Sequence, residues 1–180
     1  KHLTTIPHRH ASKTERLLRD VINITRSVLT ASGLPIAHWP VACEYAAMAI
    51  NLVGKLPCNS SETPYALRFG DAFTGIAALF GSLVYAKPPP SVNLHKMAPR
   101  AQPAIFLGWM VQPGGKVSSG LRIAFASDVF KALSSNEEKN KDFRIHIVRE
   151  VVVPPGVASF PFQKYLVLAD VEAFSVEDVV

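Results

Sequence analysis

The sequence predicts an α+β fold in which helices come first and short strands follow. From Leu18 to Leu29 apolar side chains recur at i, i+3, i+4 and i+7, the period of a helix with one buried side, and a second helix-length run, apolar on most sides, reaches Val53. From residue 79 the period shortens to two, in short runs rich in Val, Ile and Phe bounded by Pro and Gly clusters. Helices followed by strands, rather than the two alternating, argue against a βαβ series. The expected division is a helical unit at 1–75, a small antiparallel β-barrel or sheet at 76–160, and an acidic tail at 161–180.

Each element has a local reason. Lys1 to Ser12 reads as loop, and a helix follows from Lys13 to Ala31. Ser32-Gly33 stops it, with Gly33 as a left-handed cap. Pro35 suits the first turn of a second helix reaching Val53. That helix is apolar on most sides, through Trp39, Val41, Ala42, Tyr45, Ala46, Met48, Ala49 and Leu52, which marks it as a core helix. Thr63 to Gly70 reads as one short helix, with Thr63 as N-cap and Pro64 at the first position. Strands are expected at Leu79 to Ala86, Ala104 to Val111, Leu121 to Phe130 and Phe143 to Val153. Between them lie a basic loop with Lys87, His95, Lys96 and Arg100, a turn at Pro113-Gly114-Gly115, and a polar loop from Ser134 to Lys141.

The first helix has a second informative side. At 100° per residue, Glu15, Arg16, Arg19, Asn23, Arg26 and Thr30 fall within an arc of roughly 100°. Leu18, Val21, Ile22, Thr25, Val28 and Leu29 form the opposite, apolar stripe. A solvated surface accounts for such a face by itself. Glu15 and Arg19 are an i, i+4 pair contributing a few tenths of a kcal/mol, and an acid in the first turn suits the helix dipole. The functional reading is a basic face carrying one carboxylate, suited to a polyanion.

Composition sets the bounds. The chain has 180 residues, 48% hydrophobic and 18% charged, a globular balance with room for one full core or two small ones. Lys+Arg 19 against Asp+Glu 14 gives +5, a surplus that favours polyanionic partners. Residues 1–26 hold Lys1, Arg9, Lys13, Arg16, Arg19 and Arg26, whereas the last eleven residues are acidic. Cys43 and Cys58 form no disulfide framework, and with His2, His8 and His10 they make no regular zinc half-site. The apolar run from Val41 to Val53 is too short for a bilayer and contains Glu44, so no membrane partner is expected. Pro113-Gly114-Gly115-Lys116 lacks the phosphate-loop pattern and reads as a hairpin turn. Phe106 and Trp109 have the chemistry to stack on bases, but core aromatics are commoner in such strands. Lys1 is not an initiator Met, and the chain reads as a fragment of a longer protein.

Six motifs, in order, resemble one family: Glu15-Arg16-x-x-Arg19; Ser32-Gly33-Leu34-Pro35 with Trp39; Glu62-Thr63-Pro64-Tyr65 with Arg68-Phe69-Gly70; Phe80-Gly81; Ile105-Phe106-Leu107-Gly108; and Val148-x-Glu150-Val151. They resemble the integrase region of copia-type LTR retrotransposon polyproteins, from the end of the ribonuclease-H-like catalytic core into the C-terminal β-domain. The resemblance runs from about Pro7 to Pro155. It departs at Ala11-Ser12-Lys13-Thr14, where the family usually carries an Asn-Gly turn.

The resemblance implies that Glu15 is the catalytic third acid of an Asp, Asp, Glu set holding two Mg²⁺ or Mn²⁺ ions for strand transfer. The two Asp would lie upstream of Lys1, so the isolated chain is expected to be inactive. Arg9, Lys13, Arg16, Arg19 and Arg26 become DNA contacts, made chiefly to phosphates. Further implied partners are the rest of the polyprotein and another integrase copy, in the nucleus or a cytoplasmic particle. The missing upstream sheet would leave the second helix with an uncovered apolar side. The competing reading is a non-catalytic module whose β-unit and acidic tail bind protein.

Overall fold

The computed structural model describes residues 12–54, 62–88, 95–97, 99–134 and 142–163. The helical unit contains α1 (Ser12–Ser32), a 3₁₀ turn (Ile36–His38), α2 (Trp39–Val53) and α3 (Pro64–Phe69). The remainder contains β1 (Leu83–Ala86), β2 (Gln102–Val111), β3 (Val117–Phe125), α4 (Ala126–Leu133), β4 (His146–Val148) and β5 (Val151–Val152). The architecture is α+β with an antiparallel sheet, as the change of period indicated. Among the described residues no helix is long and apolar enough to cross a membrane.

The expected caps are present. Gly33 takes φ +73 and its N–H donates to the Leu29 carbonyl at 3.1 Å. Thr63 caps α3 by accepting from the Ala66 N–H at 3.2 Å, and Gly70 closes it at φ +80. At the β2–β3 turn, Gly114 and Gly115 take φ +94 and +89, while the Gln112 N–H donates to the Lys116 carbonyl. This is a hairpin, as the spacing indicated.

Several strand boundaries differ from expectation. Residues 79–82 form a turn, so β1 begins at Leu83. The strand expected through Phe130 ends at Phe125, and Ala126–Leu133 is helix α4. Val129 and Ala132, three apart, are its buried side, and Asp128 lies in its first turn. Apolar residues at 129 and 130 satisfy either period over so short a run, and packing selects the helix. The second helix also starts later than Pro35, after the 3₁₀ turn, and Trp39 at its first position is 56% exposed rather than buried.

The single strand expected at Phe143 to Val153 divides into β4 and β5, with consequences for the whole sheet. Strand order is β4-β3-β2-β1-β5, placing these two neighbours in sequence on opposite edges. Across a flat sheet that separation is about 19 Å, four strand spacings. From Val148 to Val151 the chain covers at most about 11 Å. The sheet is therefore curled into a half-barrel whose edges approach each other. Two register shifts in β2, around Phe106/Gly108 and Trp109/Val111, provide the bends.

The two units share their core. β2 is buried continuously from Ala104 to Trp109, because helices α2 and α4 both pack against it while it also contributes to the curled sheet. Tyr45 of α2 stacks on Trp109 at 5.2 Å and lies 5.5 Å from Phe80 and 6.4 Å from Phe106. The Trp109 indole donates to the Ile76 carbonyl at 2.9 Å, and the Tyr45 hydroxyl donates to the Ala78 carbonyl at 3.2 Å. Thus the loop at 76–78 is tied over the aromatic cluster. Phe106 and Trp109 are core residues, not a surface platform. The apolar side of α2 expected to lack a wall has the sheet as its wall.

A second contact fixes the corner between α1 and α2. Ser32 is fully buried; its hydroxyl donates to the Leu29 carbonyl at 2.8 Å and accepts from the Leu34 N–H at 3.3 Å. A Cβ on Gly81, at φ +74, would fall on the Ser32 side chain, and one on Gly33 would fall on the Phe162 backbone. Two glycines and a serine thereby let α1, the turn before β1 and the segment at 160–163 meet at backbone distance. Gly81 also donates from its N–H to the Phe106 carbonyl at 2.7 Å, joining this corner to β2.

Two outcomes follow. Gly81→Ala should lower unfolding stability by about 2 kcal/mol or more, from left-handed strain plus the Ser32 clash. Gly114→Ala, with open space around its Cβ position, should incur only the strain, about 1 kcal/mol; urea unfolding of both variants measures the difference. Tyr45 gives the second. Burial raises its phenol above 10.0, partly offset by hydrogen bonding with the Phe80 backbone. Since the folded value is the higher one, this contribution is present below pH 10 and is lost as pH rises through the folded value. Tyr45→Phe should cost about 1 kcal/mol at neutral pH by losing the Ala78 bond. It should also show a shallower stability loss above pH 10 in alkaline denaturation series.

Candidate nucleic-acid interface

The basic face forms on α1 as the period required. Glu15, Arg16, Arg19, Asn23, Arg26 and Thr30 are all exposed on one side of the helix. Glu15 lies in the first turn, where its charge faces the positive end of the helix dipole. Lys13 lies within α1, but its side chain is outside the described residues, as is Arg9 altogether. The charged groups described on this face are therefore one carboxylate and three guanidinium groups.

Burial along the opposite stripe shows how the face is presented. Exposure falls from 59% at Leu18 through 40% at Ile22 to 9% at Leu29, with Thr25 buried between the last two. Helix length explains the gradient. Twenty-one residues make α1 about 31 Å long, whereas the fifteen of α2 make about 22 Å. A short connection joins the two, so the N-terminal part of α1 extends beyond its partner. Small, fully buried Ala42 and Ala46 on one side of α2 permit close packing where the helices overlap. Beyond the overlap, Glu15, Arg16 and Arg19 share the overhang with exposed Leu17 and Leu18.

The donor set for a divalent metal is incomplete among the described residues. No group of three or more His, Cys, Asp or Glu is placed to hold one. Glu15 supplies one carboxylate, and paired ions need several oxygen ligands from the protein. These residues therefore do not fit a two-metal centre, and no catalytic step follows from them. Of the histidines, His38 is buried and stacked on Phe143 at 4.0 Å, while His146 faces Asp128 at 3.9 Å and the Phe125 ring at 5.0 Å. His2, His8, His10 and Cys58, weighed for zinc, lie outside the described residues.

Other polar features carry packing rather than chemistry. Arg122 of β3 pairs with Glu44 of α2, a link between helix and sheet that no local pattern announces. Arg68 lies over the Phe69 ring at 5.5 Å. Together with Tyr65, Met48 and Asn51 these groups line a cleft of about 450 Å³ between α2, α3 and the β2–β3 turn. A second, apolar cleft of about 400 Å³ lies between Tyr45, Leu52, Phe73 and Trp109. Neither cleft touches the basic face of α1.

Comparison with known proteins places the chain beside a mobile element. No protein-family model matches it, and no solved structure matches it. The retrovirus-related Pol polyprotein from transposon RE1 of Arabidopsis thaliana is 29% identical over 113 residues. That match covers 60% of this chain and 7% of the polyprotein, so the chain corresponds to a small part of that relative's length. The chain is thus similar to one stretch of a retrotransposon polyprotein.

Proposed function

We propose that this chain is a nucleic-acid-binding piece of a retrotransposon integrase, whose inherited role is DNA integration by metal-dependent strand transfer. Similarity to the RE1 polyprotein and the ordered copia-type motifs support the assignment. The observation that carries binding is the exposure of Arg16, Arg19 and Arg26 on one side of a helix whose other side enters the core. From Arg16 to Arg26 the helix rises about 15 Å. A duplex presents roughly nine charges over that length, so each guanidinium can meet its own phosphate. Such contacts position DNA without reading its sequence. Glu15 would join a metal site only with two acids supplied from elsewhere.

Arg16→Gln, Arg19→Gln and Arg26→Gln combined test this reading. Fluorescence anisotropy with a labelled duplex should show weak binding with little sequence preference. Its log–log salt dependence should flatten by between two and three units in the triple variant, at about 0.9 per phosphate contact. An unchanged slope would remove α1 as the interface. Binding of protein partners through exposed Leu17, Leu18 and Ile22, with no affinity for DNA, would instead favour a non-catalytic interaction module.

A further inference from the structure

The acidic segment 170–180 and the basic face of α1 are opposite in charge, and the fold starts them from the same place. Residues 170–180 carry Asp170, Glu172, Glu177 and Asp178 with no Lys or Arg. The described chain runs to Gln163, immediately after Phe162, which is buried against Gly33 at the C-terminal end of α1. From Gln163, seven residues reach at most about 24 Å and seventeen about 58 Å. Along α1, Arg26 lies about 10 Å from Gly33, Arg19 about 21 Å and Arg16 about 26 Å. The acids are thus tethered within reach of all three arginines.

Apolar content matches as well. Leu18 and Ile22, both exposed, border Arg19 and Arg26 around the helix. Segment 170–180 interleaves its acids with Val171, Phe174, Val176 and Val179. One segment can therefore offer carboxylates to the arginines and apolar side chains to the adjoining stripe. A nucleic-acid backbone supplies anionic groups to the arginines but no apolar side chains to the stripe.

We propose that segment 170–180 engages the basic face of α1 and competes with nucleic acid for it, an autoinhibitory contact. The competition, though not the contact itself, rests on the nucleic-acid reading given above. The tether makes the contact effective, since a short linker holds its partner at an effective concentration in the millimolar range. Salt weakens both the contact and its competitor.

The test uses the full chain with Asp170→Asn, Glu172→Gln, Glu177→Gln and Asp178→Asn combined. Duplex binding at low salt should strengthen about tenfold relative to the unaltered chain, with a steeper salt dependence. A labelled peptide of residues 168–180, added to this neutralised chain, should bind saturably. The binding should be lost when Arg16, Arg19 and Arg26 are also replaced by Gln. Peptide binding that requires the arginines, without any affinity for duplex, would uphold the contact and overturn the nucleic-acid reading. Arginine-dependent duplex binding that is equal in the unaltered and neutralised chains would overturn the competition while leaving that reading intact. Absence of saturable peptide binding up to about 1 mM would overturn the contact itself.

Discussion

The meeting of Ser32-Gly33 with Gly81 and Phe162 is the constraint on which the rest of this structure depends. Three chain segments approach there at backbone distance, and a single added methyl at either glycine would collide with its neighbour. The corner sets where α1 ends and thus how α2 returns across β2. It also anchors the turn before β1 to the Phe106 carbonyl of β2. Close packing of this kind has two discrete outcomes, docked or separated, because interiors are nearly incompressible.

From that corner the aromatic cluster follows. Once α2 crosses β2, Tyr45 meets Trp109 ring to ring, and Phe80 and Phe106 close around them. Gly108 takes φ +136 within the first register shift of β2, beneath Tyr45, so the strand bends where the helix presses on it. The bend and the curl of the sheet together bring β4 and β5 to facing edges. Fold and curvature are consequences of the same few close contacts.

Ser32-Gly33, Phe80-Gly81 and Phe106-Leu107-Gly108 are far apart in sequence, yet they form one connected contact set in the folded chain. In this fold these motifs serve packing, and such motifs alone say little of chemistry. The basic face lies on a part of α1 that packing leaves exposed. There the overhang presents arginines and leucines together, a surface suited to a charged partner that is also partly apolar.

Much of this was legible in the residues themselves. The helical period marked α1 and α2, Thr63-Pro64 and Gly70 marked both ends of α3, and Pro-Gly-Gly marked the hairpin, since caps and turns depend on backbone preferences of single residues. The arrangement of Glu15, Arg16, Arg19 and Arg26 on one face was equally local, following from 100° per residue. Tertiary structure decided what local rules leave degenerate. Val129 and Phe130 fit either a strand or a helix, and the space against β2 and β3 chose the helix. The sequence from Phe143 to Val153 reads as one strand, but the curled sheet gave its two halves to opposite edges. Trp39 counts as apolar in any sequence pattern, yet its position at the start of α2 leaves it exposed. The pairing of Glu44 with Arg122, seventy-eight positions apart, depends wholly on α2 crossing the sheet. Local sequence determines the period and ends of an element; which side is covered, and by what, depends on segments that meet only when the chain has folded.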